Sequence, residues 1–354
     1  MNNETKAQAK EAKVRQPWTA KRVGDLLLNN ALLIIMAIAV IYIAIKNPNF
    51  IKPASLINIL SQTAAYLPAA LGIAGCIVLT GTDLSAGRVV GLTACISASL
   101  LQNAANLANK MWPEIGTLPI IVVILLAMLI GAAVGCFNGF FVAKFKLHPF
   151  IVTLGTQLIL YTCLLLYVQM GNNKGMAISN LDPSYTNFVK GSLFKIGGVP
   201  IPNYVLFAIV LTAVMWFIWN KTTFGKNMFA VGSNPEAAKV SGVNVMKTTI
   251  LVHTLAGAMY GLTGFIESSR IGSNTANTGL NYECDAIAAC VIGGVSFVGG
   301  TGKISGVVLG VFLLRIIFVA LNFLSINMNM QYVIKGLIIL VACAIDMRKY
   351  LVRK

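Results

Sequence analysis

The chain has 354 residues, of which 57% are hydrophobic and only 11% are charged. That composition excludes a soluble globular domain, because apolar runs of roughly twenty residues recur along the chain and each can cross about 30 Å of hydrocarbon. The net charge of +16 would suggest a nucleic-acid partner for a soluble protein, but the basic residues here lie at the ends of apolar runs. We therefore expect an all-α membrane protein in a lipid bilayer, with no nucleic-acid partner.

Ten apolar runs predict ten transmembrane helices in a single domain over residues 26–347. A basic tail, residues 1–25, precedes them, and residues 348–354 form a basic C-terminus. The first run is too long for the core of a signal peptide, so it is interpreted as an uncleaved span. The predicted spans are 26–45, 58–80, 89–108, 118–143, 149–170, 204–219, 248–266, 286–301, 304–324 and 330–347.

Loop charges test this count and set the orientation. With ten spans and a cytoplasmic N-terminus, 18 of the 27 lysines and arginines fall on the cytoplasmic side and seven outside, while Arg315 and Lys335 lie within spans. This bias obeys the positive-inside rule and predicts that both termini and the polar loop 220–247 are cytoplasmic. The longest outer loop, 171–203, contains several glycines and prolines and is predicted to form an irregular cap.

The polar stretch GTDLSAGR, residues 81–88, interrupts two apolar runs. An ionisable residue such as Asp83 is costly at a break between spans, so it usually faces a cavity or a partner. One interpretation places Asp83 and Ser85 on a broken helix beside a translocation path. The other is a tight cytoplasmic turn in which Asp83 caps the next helix. The residues alone leave both interpretations open.

Internal repeats are faint. Residues 73–78 (IAGCIV) resemble residues 287–292 (IAACVI), 214 positions later. If each half of the chain holds an odd number of spans, such repeats would be inverted, as in many transporters. A match between six small apolar residues also fits chance.

The glycine-dense stretch 293–303 (GGVSFVGGTGK) is a near miss for a phosphate-binding loop. The template needs Gly and then Ser or Thr where this chain has Phe297 and Ile304, so we expect close helix packing rather than nucleotide binding. Arg315 lies near the middle of a span and should face protein or water, because lipid exposure there is costly. The seven cysteines and two histidines form no metal-ligand pattern, and no nucleophile–base arrangement indicates an enzyme.

Residues 233–242 predict a short helix inside the cytoplasmic loop. Ser233 or Asn234 can cap its N-terminus, and Pro235 suits the first helical position. Gly242 follows the end of the helix as a C′ residue. About seven helical residues are too few to be stable in water without a surface to dock on.

Two interpretations of this helix are open. It could be a coupling helix, through which a membrane protein docks into a soluble motor. The small side chains of Ala237 and Ala238 would then allow close approach, and Glu236 would add a charge near the positive helix end. It could also be an ordinary capped helix in a loop between two spans.

Six stretches resemble the permease subunits of ATP-driven sugar importers of the ribose/galactose type, and most closely the galactose/methyl-galactoside branch of that family. The resemblance runs from about residue 26 to the C-terminus and does not cover the N-terminal tail. The stretches are GTDLSAGR (81–88), PFIVTLGT (149–156), WNKTTFGKNMFAVGSNPEAAKVSGVNV (219–245), ESSRIGSNTANTGL (267–280), YECDAIAACVIGGVSF (282–297) and QYVIKG (331–336).

This resemblance implies a type II permease of the vitamin-B12-importer architecture, with ten spans in the inner membrane and a second copy of itself as partner. It also implies a cytoplasmic subunit with two ATP cassettes. That subunit would hold ATP and Mg, so no cofactor is expected on this chain. A periplasmic binding protein of the galactose/glucose type is the third implied partner.

The resemblance favours the coupling interpretation of the short helix, because residues 234–239 match the family's cytoplasmic contact motif. The expected ATPase-coupling residues are Asn234, Pro235, Glu236, Ala237, Ala238, Lys239, Ser241 and Gly242. The polar segment 267–285 lies outside in the predicted topology. Its candidates for docking of the binding protein are Glu267, Arg270, Asn274 and Glu283.

The expected function is import of a monosaccharide, and galactose, glucose or a methyl-galactoside is implied by the resemblance only. A neutral sugar needs hydrogen-bond donors and acceptors along its path. Candidates for that path are Asp83, Ser85, Asn138, Thr153, Thr156, Gln157 and Arg315. The alternative is an ion-coupled secondary sugar carrier, which needs an intramembrane relay of Asp, Glu or His, where this chain offers Asp83 and little else. A structural membrane subunit or a lipid-modifying enzyme is least favoured, because catalytic residues do not cluster.

Overall fold

The computed structural model describes residues 40–105 and 110–351 and is almost entirely helical there. Residues 40–46 are helical, and a 3₁₀ helix, Pro48–Ile51, follows them. The remaining elements are α1 (Pro53–Val78), α2 (Ala86–Leu100), α3 (Ile120–Phe145), α4 (Pro149–Gln169), α5 (Pro183–Lys190), β1 (Phe194–Ile196), β2 (Val199–Ile201), α6 (Asn203–Lys221), α7 (Thr223–Ser233), α8 (Pro235–Val240), α9 (Val245–Ile271), α10 (Tyr282–Ile292), α11 (Ile304–Phe323) and α12 (Met328–Leu351).

Six of the described helices are long and apolar enough to cross a membrane: α1, α3, α4, α6, α9 and α11. Helix α2 and the segment Asn329–Val341 of α12 are apolar but shorter. The prediction of an all-α polytopic membrane protein is thus confirmed, whereas the count of ten spans is not. The first predicted span, 26–45, lies mostly outside the described residues.

The span predicted at 286–301 differs from the structure, in which α10 ends at Ile292 after 11 residues. Gly294, Gly299 and Gly300 have φ angles of +80°, +90° and +66°, which a right-handed helix does not contain. A helix as short as α10 extends only about 16 Å, roughly half of the hydrocarbon thickness. The glycines therefore end the apolar run as a loop that leads into α11.

Helices α3 and α9 form the most extensive contact between described elements. A Cβ placed on Gly131 would lie 2.0 Å from the carbonyl oxygen of Gly257, and one placed on Gly257 would lie 2.0 Å from that of Gly131. One turn further along each helix, Gly135 and Gly261 face backbone oxygens in the same way, at 2.0 and 2.1 Å. Glycines at four-residue spacing let two helices touch along their backbones, which is how helices associate closely in lipid.

Two helix breaks meet in this bundle. The first break, residues 79–85, separates α1 from α2, and the second break, residues 293–303, separates α10 from α11. The amide N–H of Gly300 donates a 2.9 Å hydrogen bond to the carbonyl oxygen of Val78 and so joins the second break to the end of α1. The two similar segments of the sequence are the last six residues of α1 and of α10.

The loop 171–203 contains more regular structure than its glycines and prolines predict. Asp182 caps α5 by accepting a 2.8 Å hydrogen bond from the amide of Ser184. Strands β1 and β2 form an antiparallel hairpin whose turn residues, Gly197 and Gly198, have φ angles of +56° and +79°. Two consecutive residues with positive φ suit a tight hairpin turn. The prediction of an irregular cap is therefore wrong for the part of the loop that holds α5 and the hairpin.

Candidate functional site

A buried polar cluster surrounds the first break. Asp83 Oδ1 accepts hydrogen bonds from the amide and the hydroxyl of Ser85, at 3.0 and 2.6 Å. The side-chain amide of Asn138 on α3 donates to Ser85 Oγ at 3.0 Å. Thr156 Oγ1 on α4 donates in turn to Asn138 Oδ1 at 2.6 Å. This chain of hydrogen bonds ties the break to two long helices, and all four side chains are buried.

The remaining path candidates on α4 lie beside this cluster. Thr153 Oγ1 accepts a 3.1 Å hydrogen bond from the amide of Leu84 and lies 3.3 Å from the carbonyl oxygen of Thr82. Gln157 follows Thr156 and is half-buried. The structure therefore brings five of the seven candidates into one cluster, whereas Gln157 makes no hydrogen bond to that cluster in the described structure and Arg315 lies elsewhere. Whether sugar contacts any of them remains a prediction.

The structure combines features of both interpretations of Asp83. Its carboxylate accepts from the amide of Ser85 at the start of α2, as a turn would require, yet the residue is fully buried. Within the described residues, Asp83 Oδ2 has no hydrogen-bond partner, and neither have His253 Nε2 and Tyr260 Oη. His253 and Tyr260, both buried on α9, lie close enough to Asp83 to interact electrostatically with its carboxylate, and the hydroxyl of Tyr260 lies near hydrogen-bonding range of it.

Unpaired buried polar atoms are costly, at about 1–3 kcal/mol each. Three of them near one break give the cluster spare hydrogen-bonding capacity. Water or a small neutral solute with hydroxyl groups could supply the missing partners. Whether the cluster lines a path for cargo stays a prediction.

A second polar group links α10, α11 and α12. Arg315 Nη2 lies 2.7 Å from Asp285 Oδ2, and Lys335 Nζ lies 2.5 Å from Asp285 Oδ1. The guanidinium of Arg315 also stacks 3.7 Å above the ring centre of Tyr66, which itself stacks on Tyr282. Arg315 is only 4% exposed, so it faces protein, as its position in the middle of a span predicts. Its assignment to a translocation path stays a prediction.

The four docking candidates are mostly buried. Glu267, Asn274 and Glu283 are at most 6% exposed, whereas the side chain of Arg270 is 30% exposed. Glu267 pairs with Arg270 at 2.8 Å and also accepts a hydrogen bond from the hydroxyl of Tyr282. Direct contact with a partner requires exposure, so in this conformation Arg270 alone of the four could provide it.

The short helix predicted within residues 233–242 is present as α8, and its coupling role stays a prediction. Asn234 is its N-cap, and its side-chain oxygen accepts a 3.0 Å hydrogen bond from the amide of Ala237. Gly242 has a φ of +84°, and the amide of Val243 donates to the carbonyl oxygen of Ala238 at 3.0 Å, which closes the C-terminus. Of the two cap candidates, Asn234 is the one used. Both ends of the helix match the sequence signals.

The exposed face of α8 differs from the expected one. Ala238 is buried against the rest of the chain, whereas Ala237 is exposed and Val240 is 90% exposed. The sequence analysis did not include Val240 among the expected coupling residues. It lies three residues after Ala237, and residues at that spacing are neighbours on the surface of a helix. The sequence analysis also missed α7, whose start is marked by Thr222, which accepts a hydrogen bond from the amide of Gly225. A single exposed valine is common on protein surfaces, so contact of this face with another protein stays a prediction.

Comparison with known proteins bears on this arrangement. The chain matches a family model described as "Branched-chain amino acid transport system / permease component" over residues 55–343. It is 44% identical over 330 residues to the galactose/methyl galactoside import permease protein of Haemophilus influenzae, covering 93% of this chain and 97% of that protein. The protein of the same name from Escherichia coli is 46% identical over 323 residues, covering 91% of this chain and 94% of its own.

A more distant relative is the ribose import permease protein of Haemophilus influenzae. It is 33% identical over 325 residues, covering 92% of this chain and 95% of that protein. No solved structure matches the chain. The family model begins within α1 and ends within α12, so it includes both helix breaks and α8. The matches to the two galactose/methyl galactoside import permeases cover more than nine tenths of both chains. The chain therefore belongs to this family of transport-system permease components.

Proposed function

We propose that this chain is the membrane-spanning subunit of an ATP-binding-cassette importer that moves a monosaccharide from the periplasm into the cytoplasm. The observation that carries the proposal is the identity of 44% and 46%, over more than nine tenths of both chains, to two galactose/methyl galactoside import permeases. Galactose, glucose and methyl-galactosides are therefore the sugars to test first. The buried hydroxyl and amide groups around the first break suit a neutral cargo of this kind.

The proposed complex holds two copies of this chain, a cytoplasmic ATPase with two cassettes that bind ATP and Mg, and a periplasmic sugar-binding protein. Each permease would have ten spans in two inverted repeats, as in vitamin-B12-type importers. Support for the repeats comes from the two similar segments, each of which ends a helix at a break. Support for the ATPase contact comes from α8, which is capped at both ends and exposes Val240.

An ion-coupled carrier is the alternative, because the chain buries more ionisable residues than its sequence led us to expect. Glu267 and Asp285 are buried, but each lies within 2.8 Å of a basic side chain. Paired charges hold helices together and are poorly suited to exchanging protons. Asp83 has no ion-pair partner among the described residues, and it is the residue that a carrier mechanism would have to use.

The energy source separates the two functions. In cells that express the permease with its ATPase and binding protein, galactose uptake should continue when a protonophore is added and ATP is maintained. Uptake should stop when ATP is depleted while the membrane potential is kept. Loss of uptake with the protonophore alone would favour the carrier and contradict the importer.

The proposed topology places both termini and α8 in the cytoplasm, on the charge bias of 18 to seven. A cysteine introduced at Asn227 should resist a membrane-impermeant thiol reagent applied from outside, whereas one at the exposed position Asn187 of α5 should react. The native permease, treated in the same way, controls for its own cysteines. Reaction at Asn227 and protection at Asn187 would reverse the orientation.

A further inference from the structure

Three backbone segments meet beside α8, where glycines allow them to approach closely. They are the end of α1, the end of α7 and the second break, and we call Val78, Gly232, Gly299 and Gly300 the junction. A Cβ placed on Gly232 would lie 1.9 Å from the carbonyl oxygen of Val78 and 2.9 Å from the amide nitrogen of Gly300. The same carbonyl of Val78 accepts the 2.9 Å hydrogen bond from Gly300. Gly232 is therefore in direct contact with the end of α1 and with the second break.

The second break is shaped to fit this contact. Gly299 and Gly300 both have positive φ angles, which other residues rarely adopt. A Cβ on Gly299 would lie 2.5 Å from the carbonyl oxygen of Gly232, and one on Gly300 would lie 2.1 Å from Ser233 Oγ. Backbone atoms in contact cannot absorb a displacement by changing rotamer, as long side chains can. A push on the end of α7 is therefore passed directly to α1 and to the second break.

The junction lies between two features that the proposed function needs. On one side, Gly232 is two residues before Asn234, the cap of α8. On the other side, Val78 is the last residue of α1, and five residues later Asp83 begins the hydrogen-bond chain to α3 and α4. A short path of rigid contacts thus runs from the cytoplasmic helix to the buried polar cluster.

We propose that the junction transmits the movement of α7 and α8 to both helix breaks, and that Gly232 is the positioning residue that makes this possible. The inference rests on the proposed function and names residues of the permease that couple ATP hydrolysis to transport without contacting ATPase or sugar. Because Val78 and Gly300 are held at one point, the two breaks move together with α7 and α8 as one unit. The breaks then change the access of the polar cluster to the two sides of the membrane.

The first test is Gly232→Ala in permease reconstituted with its ATPase and binding protein in liposomes. The added methyl group would overlap the carbonyl oxygen of Val78, so the end of α7 must move away from α1. Because Gly232 contacts neither ATPase nor sugar in the proposed complex, the complex should still assemble and hydrolyse ATP. The amount of galactose moved per ATP should fall about tenfold, which is within the usual range of coupling between sites. The matched control is Gly155→Ala on α4, because a Cβ placed there would meet no described atom within 4 Å outside its chain neighbours and the adjacent backbone of its own helix. A merely structural role would lower hydrolysis and transport together and leave their ratio unchanged.

The second test uses the native complex and so introduces no strain. The amide of Gly300 donates to the carbonyl oxygen of Val78 at 2.9 Å, and exchange of its hydrogen with deuterated solvent reports how often that contact opens. If the junction moves as one unit, this amide should exchange at the same rate, within about twofold, while the complex hydrolyses ATP and moves sugar as it does at rest.

The outcomes distinguish failure of the proposed function from failure of this inference alone. If the native complex shows no ATP-driven uptake, the proposed function fails and this inference fails with it. If the native complex transports sugar and Gly232→Ala keeps the native amount of sugar per ATP, the inference alone is overturned. It is also overturned if exchange at the Gly300 amide rises about tenfold or more during transport, because the segments must then separate or slide past each other. If Gly232→Ala fails to assemble, the exchange measurement decides.

Discussion

Permease carrying Ala237→Trp is expected to insert into the membrane in normal amounts and yet to lose its ATPase and its sugar uptake. Ala237 lies on the exposed face of α8, near Val240, and the substitution leaves the capping groups of the helix in place, because Asn234 bonds to the backbone amide of residue 237. An indole at the centre of a close contact should weaken association with the ATPase at least about tenfold. Co-purification of the ATPase with tagged permease measures this loss directly.

The matched control is Asn187→Trp on α5, which adds the same side chain at an exposed position of the loop 171–203. This variant should keep the ATPase bound, because the proposed topology places α5 on the other side of the membrane. If Ala237→Trp permease co-purifies with its ATPase and transports sugar at the native rate, α8 is an ordinary loop helix. The coupling role would then have to be assigned to another part of the chain.

The second large effect is expected from Asp285→Asn, which removes a charge but keeps the shape of the side chain. Its carboxylate lies 2.7 Å from Arg315 and 2.5 Å from Lys335. Without it, two buried cations are left near each other with no compensating charge, and breaking such a buried pair typically costs about 3–5 kcal/mol. The melting temperature of the purified permease in detergent should therefore fall clearly below that of the native protein.

Two further variants make this result specific. Glu114→Gln neutralises an exposed carboxylate and should change stability by no more than about 0.5 kcal/mol. Adding Lys335→Met to Asp285→Asn removes one of the two unpaired cations and should recover part of the lost stability. A melting temperature for Asp285→Asn equal to that of Glu114→Gln would mean that the ion pair contributes nothing to holding α10, α11 and α12 together.

Features set by neighbours in sequence were predictable from this chain. The cap at Asn234 and the end of α8 before Gly242 depend on residues within one or two turns, and both are present. The long apolar helices follow from run length alone. The loop at 293–303 was not predictable in the same way, and the sequence analysis placed most of it within a span. The average hydrophobicity of a run carries no information on backbone angles, such as the positive φ of Gly299 and Gly300.

Features set by distant neighbours were not predictable. Glu267 is charged and lies in a polar segment, which predicts exposure, yet it is fully buried because Arg270 and Tyr282 supply its partners. Asp285 meets Arg315 across 30 positions of sequence, and no periodicity reveals such a pair. The two alanines of α8 look alike in sequence, and only the packing of the helix on the rest of the permease buries Ala238 and exposes Ala237.

The most direct test of the proposed function is transport by the purified components. Permease and ATPase are reconstituted in liposomes with the nucleotide-binding side facing out, ATP and Mg are added outside, and the binding protein loaded with labelled galactose is trapped inside. The account predicts that labelled sugar leaves the lumen, and that omission of ATP, of the ATPase or of the binding protein abolishes this movement. Sugar movement by the permease alone, driven by an imposed proton or sodium gradient, would contradict it.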